Sequence, residues 1–138
     1  MLQKNRRKPR ITISETDYAR LNNLAAAYEQ RSPEIAAALA EEIDRARVVS
    51  DKAIDAGVVR MGSTVTYEVD SNQSKTVTLV YPADANIDDG RISITTPVGS
   101  ALIGLKSGQS ISFATRSGQV HDLTVTEVTQ TQQPVVAE

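Results

Sequence analysis

Residues 95–111 read TTPVGSALIGLKSGQSI, and their interpretation decides what kind of domain the second half of the chain builds. Pro97 suits the first position of a helical turn, where its missing N–H costs nothing. Ala101, Leu102 and Leu105 then recur at helical spacing, and Gly104 and Gly108 supply a stop and a turn before Ser110. The stretch therefore reads as a short helix crossing a sheet. It contains neither a G-x-G-x-x-G nor a P-loop pattern, so it is not a phosphate cradle.

Outward from that helix the chain alternates as strands do. VVRMGSTVTYEVD (58–70) and KTVTLVYP (75–82) flank the polar turn SNQS (71–74), and RISITTP (91–97), SISFATRS (110–117) and VHDLTVTEV (120–128) continue the period of two. Threonine, valine and isoleucine dominate these runs, as a half-buried antiparallel sheet prefers.

Residues 14–50 have a different period. Ser14 followed by Asp17 marks a helix N-terminus, and Tyr18, Leu21, Ala25 and Tyr28 are spaced three, four and three. EQRSPE (29–34) interrupts, with Ser32 as a cap and Pro33 at the first helical position. Ala36, Leu39, Ile43 and Ala46 then repeat the spacing, and Arg45 and Arg47 fall where they favour the helix dipole. The expectation is an α+β chain in three parts: a basic arm (1–13), a short antiparallel helical hairpin of coiled-coil type (14–55), and an antiparallel β domain with one short helix (56–138). Arms of about 15 residues at 1.5 Å each would project roughly 22 Å. The seam is rich in alanine and buries little by itself, and spacing leaves open whether the hairpin stands off the sheet or folds over it.

Composition removes several functions. No run of about 20 apolar residues spans a membrane, and the N-terminus lacks the apolar run of a signal peptide, which points to a cytoplasmic protein. Zero cysteines exclude disulfides and thiolate chemistry. Lys4, Arg6, Arg7, Lys8 and Arg10 put five cations in the first ten residues, so 15 − 5 = 10 basic residues face all 17 acidic ones in the rest. That arm is either a solvated leader or a weak nucleic-acid contact. His121 is the only histidine, and on a strand it points away from Asp122, so no acid–base pair forms there. Asp88 and Asp89 lie in a turn without the spacing of a calcium loop. Glu29 and Glu34 flank Arg31 at the hairpin turn; spacing alone makes them solvated charge. No catalytic residue, metal site or cofactor emerges, and the chain reads as a monomeric binding module.

The order of helical hairpin then β domain, with LVYPADAN (79–86) and TPVGSALIGLKSGQSI (96–111), resembles the Gre superfamily of bacterial transcription factors. The resemblance runs from about Ile11 to Val128. It implies an FKBP-like β domain that docks on the rim of RNA polymerase, with Thr96, Pro97 and Val98 as the docking turn, and a coiled coil that enters the secondary channel. Cleavage factors of that superfamily deliver magnesium on two acidic tip residues of a long coiled coil. Here the tip carries Glu29, Arg31 and Glu34 on a shorter arm, with Glu41, Glu42 and Asp44 either facing the channel walls or forming a solvated outer face, which implies occupancy of the channel and competition with Gre factors without efficient cleavage. The alternative is an FKBP-type peptidyl-prolyl isomerase. Its proline pocket needs aromatic walls, and the chain has no Trp and one Phe, Phe113.

Overall fold

The computed structural model describes residues 9–70, 74–115 and 117–130, and the architecture is α+β. In chain order the elements are β1 (Ile11–Ser14), α1 (Glu15–Tyr28), α2 (Pro33–Arg45), β2 (Ala46–Val49), β3 (Ser63–Val69), β4 (Ser74–Val80), β5 (Arg91–Ser93), α3 (Pro97–Leu102), β6 (Ser110–Ala114) and β7 (Val120–Gln130). Single 3-10 turns sit at Pro82–Asp84 and Ile87–Asp89.

The larger sheet has the order β5-β4-β3-β7-β6, antiparallel except for β4 and β5. Alternation sets its faces. Val65, Tyr67 and Leu79 are buried on one side, while Thr64 and Thr66 meet Thr78 and Thr76 across the ladder, their hydroxyls 3.1 and 2.9 Å apart. Between β3 and β7 the register slips after Thr66, leaving Thr126 as an extra residue whose hydroxyl donates to the Thr66 carbonyl at 3.1 Å. Such a bulge bends the long β7 strand and strengthens the twist of the sheet.

Two parts of the N-terminal expectation need correction. Residues 11–13, expected in the arm, belong to a strand, and 46–49 are not helix. β1 and β2 form a second, two-stranded parallel sheet, with Ile11 opposite Ala46 and Ser14 opposite Val49. The helices are the crossover that parallel pairing requires. Helix α2 stops at Arg45, with Ala46 extended, so Arg47 is an exposed strand residue and not a last-turn cation. The Ser14 cap is present, its hydroxyl accepting from the Asp17 N–H at 3.2 Å. Ser32 makes no such bond; its carbonyl instead accepts from the Ala36 N–H. The cations Lys4, Arg6, Arg7 and Lys8 lie outside the described residues, and Arg10 is exposed.

The hairpin does not project as a free probe. Leu21, Ala25, Leu39 and Ile43 belong to the same buried cluster as Val65, Leu79, Leu102, Ile111 and Leu123. Ile11 and Ile13, each 1% exposed, link the halves. The Thr12 N–H donates to the Gly104 carbonyl, and the Gly104 N–H to Val59, so β1 is stitched to the loop after α3. An alanine-rich seam is too poor in area to hold two helices alone, and the shared core supplies the rest. Asp51 fixes the entry to α1 by accepting from both the N–H and the hydroxyl of Thr16, at 3.1 and 2.6 Å.

Candidate functional site

The turn at residues 95–98 is built by a chain of short bonds. Thr96 caps α3, its hydroxyl accepting from the Gly99 N–H at 3.0 Å and donating to the Ser93 carbonyl at 2.8 Å. The Ser93 hydroxyl in turn accepts from the Thr95 N–H at 3.0 Å. Helix α3 lies so close to the end of β5 that a Cβ on Gly99 would stand 2.2 Å from the Ser93 oxygen. Thr96, Pro97 and Val98 are half-buried, and Val98 packs against the core, so the turn is less exposed than a free apolar loop.

Pro97 borders a cleft of about 310 Å³ between α2 on one side and α3 with β6 on the other. Glu34, Ile35 and Glu41 line the helical wall; Thr95, Phe113 and Thr115 line the opposite one. Glu34, at the start of α2, thus shares a cleft with Pro97, a proximity that no sequence spacing reveals. Glu42, also in this wall, is 6% exposed and bonds Arg45 at 2.6 Å, and Arg45 also donates to the Pro9 carbonyl. Only one aromatic, Phe113, reaches the cleft, so the proline pocket of an isomerase has no counterpart in its lining.

Arg31, at the tip, lies in a different groove. Arg31 stacks on Tyr28, its guanidinium 4.7 Å from the ring centre, and borders a second groove of about 500 Å³ between α1 and Tyr81–Ala83. At its far end Arg20 stacks on Tyr81 at 4.3 Å. Glu29, Arg31 and Glu34 are all exposed. Among the described residues no group of three or more His, Asp or Glu side chains gathers to hold a metal ion.

Two carboxylates do structural work that sequence reasoning missed. Asp17 looks like a first-turn acid, yet it is 8% exposed and accepts from the Met61 N–H at 3.0 Å, tying α1 to the loop before β3. Burial raises its pKa, opposed by that N–H and by Arg60 and Arg20. The same burial, with Asp17 nearby, pushes the Tyr81 hydroxyl up to about 12. Asp70, at φ 54°, accepts from the Asp122 N–H and bonds His121 Nδ1 at 2.7 Å, which holds its carboxyl below the usual range. His121 therefore ties β7 to the residue after β3 and does not line the cleft. Among the described residues no helix is long and apolar enough to cross a membrane.

The sheet and α3 lie within a segment that matches a known family. Residues 54–130 match the family described as "Transcription elongation factor, GreA/GreB, C-term", and the chain belongs to that family. Residues 9–49 match "Rnk N-terminus", which places the chain in the Rnk branch. The "Regulator of nucleoside diphosphate kinase" of Escherichia coli (strain K12) is 34% identical over 88% of this chain and 90% of its own. A "Transcription elongation factor GreA" of Roseiflexus sp. (strain RS-1) is 35% identical over 84% of this chain and 72% of its own. Among solved structures, a GreA/GreB factor from Nitrosomonas europaea is 39% identical, covers 86% of this chain and 98% of its own, and superposes with a TM-score of 0.70.

Proposed function

We propose that this protein is a Gre/Rnk-type transcription regulator that docks on the rim of RNA polymerase and holds its short hairpin at the secondary channel, competing with Gre factors without efficient transcript cleavage. Its β domain acts as an FKBP-like docking base, and Thr96, Pro97 and Val98 supply the contact. A turn held by the Thr96 cap and the Gly99 contact loses little conformational entropy on binding, which favours its use as an anchor.

The observation that carries the reading is the length and fixation of the hairpin. Helices of 14 and 13 residues rise only about 20 Å, and their inner faces are committed to the core. The tip residues also divide: Glu34 borders the Pro97 cleft, whereas the cation Arg31 borders the groove beside α1. A cation delivered to a distant active centre needs carboxylates converging within a few ångström of it, on an arm that reaches. The arm is short, and among the described residues no cluster of three acids gathers at its tip, so on this reading it occupies the entrance and does no chemistry. The protein is thus read as a non-enzyme. An influence on nucleoside diphosphate kinase, which the name of the Escherichia coli relative carries, would follow indirectly through transcription.

Binding to core RNA polymerase, measured by sedimentation with the parent chain and with Pro97→Glu, tests the docking assignment. The parent co-sediments, and the variant, folded by circular dichroism, loses at least about tenfold in affinity, equivalent to about 1.4 kcal/mol. Equal binding by both proteins would remove the turn from the contact.

A further inference from the structure

Ile87 is 83% exposed, far more than Tyr18, Val48 or Val120, the other large apolar residues that reach the surface among the described residues. Single exposed aliphatics are ordinary, but this one sits on a held loop. The Asn86 side chain accepts from the Asp88 N–H and donates to Asp89, the Asn86 and Arg91 backbones bond each other in both directions, and Gly90 takes φ 73° to close the turn. Asp84, Asp88 and Asp89 surround Ile87 in sequence, and all are exposed.

Immediately before this loop, Pro82 and Ala83 form one wall of the 500 Å³ groove whose opposite wall is α1. Its floor is apolar, with Leu24 and Ala27, and its ends carry Arg20 and Arg31. Among the described residues neither arginine has an ion-pair partner; each guanidinium rests on a tyrosine ring, which restrains it at little further cost. An apolar knob flanked by acids therefore adjoins an apolar groove flanked by cations, on a chain with a net charge of only −2. Complementary neighbours on one surface are what a two-fold contact needs, since each copy offers its knob to the other's groove.

We propose that this chain pairs with a second copy of itself through a reciprocal contact, the Ile87 loop of each copy seated in the groove between α1 and Pro82–Ala83 of the other. Ile87 supplies the desolvated centre, and Arg20 and Arg31 meet Asp84, Asp88 and Asp89 around it. The pairing covers the Arg31 side of the hairpin tip and leaves the Pro97 cleft on the other face of the hairpin. Its test needs no polymerase, and it replaces the expectation of a monomer.

Sedimentation velocity over a concentration series tests it. The 138-residue chain, 14.9 kDa, shifts reversibly towards twice that mass as concentration rises. Ile87→Asp, at an exposed position that leaves the fold intact, weakens the association by about tenfold or more. Arg31→Glu and Asp88→Arg each weaken it alone, and mixing these two variants restores a heterodimer, because every facing pair is then of opposite charge. A chain that stays monomeric at every concentration, a dimer indifferent to Ile87→Asp, or a mixture no stronger than its components overturns the proposal.

Discussion

Gly99 and Gly104 show how much of this fold hangs on atoms that are absent. A Cβ at position 99 would meet the Ser93 carbonyl at 2.2 Å, and backbone there cannot retreat without breaking the β5–α3 corner. At Gly104 the conflict is double, since φ is 80° and a Cβ would stand 2.7 Å from that of Ile11. Gly99→Ala and Gly104→Ala should each destabilise the protein by about 2–4 kcal/mol, read as a lowered urea midpoint with unchanged slope. Asp17 carries a prediction of the opposite kind. Because burial raises its pKa, the native chain holds more protons than the unfolded one between the ordinary carboxylate range and that raised value, and stability falls as pH rises through this window. Asp17→Asn keeps an oxygen for the Met61 N–H and removes the buried charge. Its stability gain over the parent should therefore be larger at pH 7 than near pH 4, where about half of an ordinary aspartate is already neutral. An equal difference at both values would show that the carboxylate is not paying a desolvation cost.

At the scale of elements, β1 and β2 are the test of what holds the hairpin down. Ile13→Ala should cost about 2–4 kcal/mol, because it empties a site 1% exposed that joins the helices to the sheet. Thermal unfolding followed by circular dichroism measures the loss. The same two strands mark the limit of what is legible in the sequence. α1, the Ser14 cap, the β3–β4 hairpin, β6, β7 and α3 are written in local period and capping chemistry. ITIS and ARVV are four residues each, too short for a period, and Ala46 and Arg47 fit the helix they follow equally well. Their pairing joins positions 35 residues apart, from Ile11 to Ala46, and no local pattern records it. The candidate site divides the same way. The start of α3 at Pro97 follows from local sequence, whereas the Thr96 cap shows only in the bonds its hydroxyl makes to Gly99 and Ser93. The shared cleft of Glu34 and Pro97, and the stacking of Arg20 on Tyr81, exist only once the hairpin lies on the body.

For the molecule as a whole, one core through both halves implies one cooperative unit. Urea unfolding followed by near-ultraviolet and far-ultraviolet circular dichroism should give coincident transitions; separate midpoints would mean that hairpin and sheet are independent bodies. The shared core also limits function, since helices whose inner faces are committed cannot extend to reach further. The most direct measurement is GreA-stimulated transcript cleavage in a stalled elongation complex, titrated with this protein. Cleavage by GreA should fall towards zero as the protein is added, and the protein alone should release no cleavage product. GreA activity unchanged at saturating protein, or efficient cleavage by the protein alone, would contradict the account.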